Sequence, residues 1–187
     1  MLKLITYGLA LGYYAFEIYL RLSRRAKGDC TKTDQGTISL AWWLIVLGSI
    51  SGFLIAPWLK FLSWPPTHTA VLWAGAFLLF GIILRVWSIR HLGRFFTVQV
   101  SVRPDQTIVD TGPYKYIRHP SYTGSLLALL GVGLLTFNLA GCLLIVTCVF
   151  MAYVFRMRVE EQVLYEHFGE AYAQYVRRTK RLIPGVY

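Results

Sequence analysis

Charged residues are scarce in this sequence, and acidic ones are the scarcest. Among 187 residues there are 9 Asp and Glu against 19 Lys and Arg, and only 15% of the chain is charged. Soluble domains carry about 25% charged residues, whereas 56% of this chain is hydrophobic. These values exclude a disordered chain and a coiled coil, and they argue against a typical soluble enzyme. The net charge of +10 also suits a nucleic-acid-binding protein. The positions of the basic residues must therefore decide between a nucleic-acid-binding surface and a membrane topology.

Residues that bind metals or form disulfides are also few. The three cysteines are Cys30, Cys142 and Cys148, and no pair has metal-ligand spacing. The sequence contains no HExxH or CxxC site, no G-x-S-x-G turn and no Gly-rich phosphate loop. We therefore predict no metal centre and no disulfide, and only reversible acylation of Cys30 stays open among cysteine functions.

Long apolar runs dominate instead. A helix needs about 20 mostly apolar residues to cross a bilayer, and five windows approach that length, at 2–20, 38–59, 69–92, 122–137 and 139–157. The first begins like a secretory signal but carries Glu17 and is followed by arginines, so we expect a retained helix. The sequence predicts an all-α integral membrane protein of about five helices. It forms a single membrane domain, with three helices in 1–92 and a polar loop, a tight helical hairpin and a cytoplasmic helical segment in 93–187.

The basic residues follow this topology. Sixteen of the 19 fall on one side of the predicted membrane: Arg21, Arg24, Arg25, Lys27, Lys32, Arg90, Arg94, Arg103, Lys115, Arg118, Arg156, Arg158, Arg177, Arg178, Lys180 and Arg181. The positive-inside rule then predicts an outside N-terminus and a cytoplasmic C-terminus. Membrane lipids are the expected surroundings, and no basic module is left to bind nucleic acid.

Polar chemistry is concentrated in two segments, of which the first is 99–124. Residues 107–109 resemble a short extended run, and Gly112 and Pro113 predict a turn. Pro120 suits the first turn of the fourth helix, where its missing N–H has no intrahelical partner. The neighbouring side chains, Arg118, His119, Ser121 and Tyr122, then lie at a helix N-terminus, which favours anionic or oxygen ligands. Anchoring at the membrane interface explains Arg118 and His119 equally well.

The second segment follows the fifth apolar window. Helical spacing places Arg156 and Glu160 on one face, and Arg158 and Glu161 are three residues apart. These could be two surface ion pairs of about 0.3–0.5 kcal/mol each. Arg156, however, directly follows a long uncharged run, where an arginine is costly unless it faces a polar cavity. We expect Gly169 to end this helix, and we expect Glu17 and Arg85 to pair across helices within the bundle.

The string GPYKYIRHPSYTG, followed by a hydrophobic hairpin, Arg156, Glu160-Glu161 and FGEAYAQYVRRTKRLIP, resembles the isoprenylcysteine carboxyl methyltransferase family. These integral membrane enzymes use S-adenosylmethionine, and phospholipid methyltransferases are distantly similar. The match covers about 99–184, nearly half the chain. One departure is Gln162, where family members often carry another acidic residue.

The resemblance implies roles for particular residues. Arg156 would lie near a substrate carboxylate and Glu160 would contact the cofactor, so both are predicted catalytic residues. A lipophilic acceptor would enter laterally at the cytoplasmic face. Cofactor contacts are implied for Gln99, Gln106, Thr107, Ile108, Val109, Tyr114, His119, Pro120, Ser121, Tyr122 and Glu160.

Two other hypotheses stay open. Membrane reductases of the sterol-reductase type have distantly similar C-terminal regions and use NADPH. A non-enzymatic membrane scaffold or a small transporter subunit is the third possibility, although the sequence has no internal repeat of the kind common in transporters.

Overall fold

The computed structural model describes residues 1–23, 31–32 and 36–187. Most of the predicted basic first loop, and Cys30 with its acylation, lie outside these residues. The helices are α1 (Leu2–Ser23), α2 (Thr37–Ile55), α3 (His68–Leu92), α4 (Pro120–Leu134), α5 (Leu139–Phe168) and α6 (Glu170–Arg178). Two short strands, β1 (Thr31–Lys32) and β2 (Ser101–Val102), pair antiparallel, with Thr31 opposite Val102.

Three helices of the described chain, α2, α3 and α5, are long and apolar enough to cross a membrane. Helix α4 has only 15 residues, as its short apolar window predicted. Helix α1 has 22 residues, but Lys3 and Glu17 interrupt its apolar sequence. The helical architecture is confirmed, while the number of five spans stays a prediction.

Helix α5 is the longest element and reaches well beyond its apolar window. It runs for 30 residues, so that Arg156 and Glu160 lie on an unbroken continuation of a membrane helix. Gly169, with φ of 54°, ends α5 as predicted, and its left-handed backbone turns the chain directly into α6. The rigid α5 therefore carries both predicted catalytic side chains.

Glycines let α3 and α4 pack backbone to backbone. A Cβ added to Gly124 would lie 2.6 Å from the backbone nitrogen of Arg85 and 2.7 Å from the carbonyl oxygen of Gly81. One added to Gly131 would lie 2.6 Å from the carbonyl oxygen of Ala74. Any larger residue would push the helices apart. This contact brings the Arg85 side chain within reach of the start of α4.

Arg85 and Glu17 form the ion pair across helices that the sequence predicted. Arg85 Nε lies 2.5 Å from Glu17 Oε1, and Arg85 Nη2 donates to Glu17 Oε2 at 2.7 Å. Arg85 Nη1 also donates to the carbonyl oxygen and the Oγ of Ser121, each at 3.0 Å. The pair, in which Arg85 is buried, thus joins α1 and α3 to the first turn of α4.

Asn138 fixes the opposite end of the bundle. Its Oδ1 accepts from the backbone nitrogen of Gly141 at 3.1 Å and so caps α5. Its Nδ2 donates to the carbonyl oxygen of Leu59 at 2.7 Å and to Ser63 Oγ at 2.9 Å. The tight α4–α5 hairpin, predicted from the sequence, is therefore fastened to the connection between α2 and α3.

Backbone hydrogen bonds fasten the C-terminal segment to the start of α4. The nitrogens of Arg118 and His119 donate to the carbonyl oxygens of Lys180 and Arg181, at 2.7 and 3.0 Å. Pro120 begins α4, as predicted. The short extended run predicted at 107–109 forms no strand, and the strand of this region lies at Ser101–Val102. The segments that meet here surround a cleft.

Candidate active site

The cleft lies where the loop after α3, the start of α4, the end of α5 and α6 meet. It encloses about 930 Å³ of empty space, including its open mouth. Apolar and aromatic side chains line most of the cleft and charged and polar ones line the rest, which is the usual lining of a small-molecule site.

Eleven of the twelve residues predicted for the site line this one cleft. They are Gln99, Gln106, Thr107, Ile108, Val109, Tyr114, His119, Ser121, Tyr122, Arg156 and Glu160. The twelfth, Pro120, is fully buried in the first turn of α4, where it shapes the helix start. The structure brings together residues that are up to about 60 positions apart in the chain.

Arg156 is held firmly at the membrane end of the cleft. Only 6% of the residue is exposed. Its Nε donates to the hydroxyl of Tyr122 at 2.9 Å, and its Nη2 donates to the carbonyl oxygen of Val98. One bond comes from α4 and the other from the loop after α3, so the plane of the guanidinium is fixed by two separate elements.

Tyr122 connects Arg156 to Glu160. Its hydroxyl, which accepts from Arg156, donates to Glu160 Oε2 at 2.6 Å. The ring of Tyr122 stacks between His119 and Tyr153, with centroid distances of 5.4 and 4.7 Å. The Glu160 side chain is 32% exposed, so its carboxylate is oriented by the phenol and still open to a ligand.

Glu161 has a different environment from its neighbour. Its side chain is 7% exposed and accepts hydrogen bonds from Arg118 Nε at 2.9 Å, His119 Nε2 at 3.2 Å and Arg181 Nη2 at 2.7 Å. The spacing also allowed a surface ion pair between Arg158 and Glu161. This prediction is wrong, because among the described residues Glu161 pairs with Arg118 and Arg181 instead. Glu161 instead joins α5 to the start of α4 and to the C-terminal segment.

Sequence reasoning missed the outer wall of the cleft as part of the site. Phe168, Tyr172 and Tyr175 line it from the end of α5 and from α6, and Phe95 and Phe96 line it from the loop after α3. The tyrosine spacing on α6 was the available signal. Tyr175 donates to the carbonyl oxygen of Tyr114 at 2.7 Å, and burial raises the pKa of Tyr114 and of Tyr175. Both phenols therefore stay protonated.

Across residues 1–23, 31–32 and 36–187, no group of three or more His, Cys, Asp or Glu side chains is arranged to hold a metal ion. In the cleft walls, Glu161 accepts directly from Arg181. Glu160 is linked to Arg156 through the hydroxyl of Tyr122.

Comparison with known proteins identifies the family. The family model described as phospholipid methyltransferase (PEMT) matches residues 69–171, which is more than half of the chain. The chain belongs to the phospholipid methyltransferase family. The matched segment runs from α3 to the beginning of α6 and includes every residue predicted for the site. The sequence-based resemblance to the isoprenylcysteine carboxyl methyltransferases is confirmed by the relatives below.

Among the relatives, Protein-S-isoprenylcysteine O-methyltransferase B of Arabidopsis thaliana is 29% identical over 79% of this chain and 74% of its own length. The Cobalt-zinc-cadmium resistance protein CzcN of Cupriavidus metallidurans is 35% identical over 52% of this chain and 45% of its own. The chain thus spans about half of one relative and three quarters of the other.

A solved structure has the same fold. The eukaryotic intramembrane Ras methyltransferase ICMT (isoprenylcysteine carboxyl methyltransferase) matches with a TM-score of 0.61 and 24% identity, over 78% of this chain and 52% of that one. The prediction of a helical integral membrane protein is therefore confirmed at the level of the fold.

Proposed function

We propose that this protein is a membrane methyltransferase that transfers a methyl group from S-adenosylmethionine to the carboxylate of a lipophilic acceptor. One observation carries the proposal. A buried arginine at the end of a membrane helix is linked through the Tyr122 hydroxyl to a partly exposed Glu160, and all three side chains face one cleft. A fixed cation for an anionic acceptor thus lies beside an anion suited to a cationic donor.

The residues present fit the methyl donor. Glu160 supplies a negative charge that can stabilise a positively charged ligand, and Tyr122 holds that carboxylate in place. Aromatic and apolar side chains cover the rest of the wall, including Phe96, Leu164 and Phe168, as a nucleoside requires. When bound, S-adenosylmethionine supplies an activated methyl group on its sulfonium.

Arg156 would hold the acceptor. A guanidinium binds a carboxylate through two parallel N–H donors, and the bonds from Arg156 to Tyr122 and Val98 fix the plane in which this occurs. An ionised carboxylate is already a nucleophile, so no general base is needed. The contribution of the chain is then to align the carboxylate with the methyl carbon and to limit water in the cleft.

The acceptor is lipophilic in this proposal because Arg156 lies where the apolar part of α5 ends. The name of the Arabidopsis relative specifies an isoprenylcysteine, and we propose an acceptor of that kind, a carboxylate attached to a long apolar chain. Its tail would lie among the membrane helices while the carboxylate reaches Arg156.

The site would face the cytoplasm. The cleft lies at the end of the bundle that carries most of the basic residues, and Arg94, Arg177 and Arg178 are largely exposed there. An excess of arginine and lysine favours the cytoplasmic side, and a water-soluble methyl donor is available there. The N-terminus would then lie outside.

Thermal unfolding with two ligands separates this proposal from the NADPH-dependent reductase. A ligand at 100 times its Kd stabilises the folded state by about 2.7 kcal/mol. We expect S-adenosylhomocysteine to raise Tm by several degrees and NADPH to leave it unchanged. Glu160→Gln should reduce the S-adenosylhomocysteine shift, whereas Glu166→Gln, an exposed position on the same helix, should retain it. A shift with NADPH alone would favour the reductase, and no shift with either ligand would favour a scaffold.

A further inference from the structure

Tyr172 has a buried hydroxyl without a hydrogen-bond partner among the described residues. It lies on α6, lines the outer wall of the cleft, and is only 2% exposed. Its neighbour Tyr175 also lines the cleft but donates to the carbonyl oxygen of Tyr114. Both tyrosines lie on α6, but only the hydroxyl of Tyr175 has a hydrogen-bond partner among the described residues.

The ring of Tyr172 is held in place by other aromatic rings. Tyr165 packs against it edge-on at a centroid distance of 4.8 Å, and Tyr175 lies at 6.0 Å. The ring therefore has a defined position in the cleft wall. A buried donor without a partner is unfavourable, and such groups in folded proteins call for a specific explanation. A ligand in the cleft would supply the missing partner.

The phenol is a hydrogen-bond donor at any working pH. Burial is the main cause that raises the pKa of Tyr172, and the nearby carboxylates of Glu161 and Glu160 raise it further. Since the hydroxyl keeps its proton, the ligand group that it meets can be a neutral acceptor, such as a ring nitrogen or a sugar oxygen.

The cleft has two chemically different ends. Along α5 the distance from Arg156 to Phe168 is twelve residues, or about 18 Å of helix. The inner end carries Arg156 and Glu160, which are charged, and the outer end carries Leu164 and Phe168. A flat base with acceptor atoms on its edge fits the outer end, while charged groups fit the inner one.

We propose that the Tyr172 hydroxyl is a binding group for the nucleoside half of the methyl donor, to which it donates a hydrogen bond from α6. The inference rests on the proposed function and adds to it a residue that determines which ligand is recognised. Tyr172 takes no part in methyl transfer itself.

The test compares Tyr172→Phe with the unaltered protein by calorimetric titration of two ligands. S-Adenosylhomocysteine contains the nucleoside and the amino-acid part, and 5′-methylthioadenosine lacks the amino-acid part. Loss of one neutral hydrogen bond weakens binding by about 2- to 10-fold. We expect a similar loss for both ligands. In the absence of ligand, Tm should be unchanged or raised, because the variant removes an unsatisfied buried donor.

Tyr175→Phe is the matched control. It removes a hydroxyl that bonds to the carbonyl oxygen of Tyr114, so it should lower Tm without ligand. A purely structural Tyr172 would behave in the same way, and a lowered Tm in Tyr172→Phe would therefore overturn the inference.

Two binding results would also overturn it: unchanged affinity of Tyr172→Phe for both ligands, or weaker binding of S-adenosylhomocysteine alone, which would place the hydroxyl on the amino-acid half. If the unaltered protein bound neither ligand, the proposed function itself would fail. Because that result would be measured on the unaltered protein, it can be told apart from a result that contradicts only the role of Tyr172.

Discussion

Arg156→Ala is expected to lower kcat/KM for methylation of a carboxylate acceptor by about 100-fold or more, the size of effect seen when one fixed charge-stabilising donor is removed from an active site. Arg156 is buried and held by Tyr122 and the carbonyl oxygen of Val98. Alanine leaves nothing to neutralise or align the carboxylate. Arg156→Lys should recover only part of the activity, because an ammonium cannot form the same two-pronged contact.

Arg158→Ala provides the control for this prediction. Arg158 lies two residues further along α5 and is exposed, so its loss should leave kcat/KM within about 2-fold, as expected of a surface side chain. Binding of S-adenosylhomocysteine, measured in parallel, should change much less than activity in Arg156→Ala. Equal activity in the two alanine variants would remove Arg156 from the proposed acceptor site.

Glu161→Ala is expected to have the largest effect on stability. The carboxylate accepts hydrogen bonds from Arg118, His119 and Arg181, and its removal leaves the buried guanidinium of Arg118 without a counter-charge. Breaking such an arrangement costs about 3 kcal/mol or more. For a chain of this size, that lowers Tm by about 6–12 °C, which thermal unfolding in detergent measures directly.

Glu166→Ala tests whether the loss is specific to the buried network. Glu166 lies on the same helix, is exposed and accepts only from Gln162 among the contacts described for it, so Tm should change by less than about 2 °C, as for a surface substitution. A Glu161→Ala protein as stable as Glu166→Ala would show that the three contacts of Glu161 do not hold α4 and the C-terminal segment together.

Local signals made the helices predictable from the sequence. The apolar windows identified α1 to α5, Pro120 fixed the start of α4, and Gly169 fixed the end of α5. These positions depend on the immediate chain, through a missing N–H in one case and a left-handed backbone in the other. The i and i+4 spacing likewise placed Arg156 and Glu160 on one face without knowledge of the fold.

Contacts between distant segments could not be predicted in the same way. Glu161 directly follows Glu160 and has the same charge, and only the return of the C-terminal segment past α4 makes it a buried acceptor for Arg181. The pairing of β1 with β2 also joins segments about 70 residues apart. Such long-range pairs leave no periodic signal in a single sequence.

The ion pair between Glu17 and Arg85 was predictable only in part. Glu17 and Arg85 stand out because charged residues in apolar helices are costly unless paired, so their contact was predictable. The bonds from Arg85 to Ser121 were not, because they depend on the close approach of α3 and α4 at Gly124. One residue thus had a predictable partner on α1 and an unforeseen one at the edge of the cleft.

Transfer of a labelled methyl group to a carboxylate is the most direct measurement of the proposed function. The purified protein in lipid vesicles is incubated with S-adenosylmethionine labelled in its methyl group and an S-farnesylcysteine derivative that has a free carboxylate. The matched control compound carries a carboxamide instead. We expect label in the carboxylate compound alone, released as methanol by alkali, as a methyl ester requires. Label that resists alkali, or equal labelling of the carboxamide, would contradict carboxyl methylation.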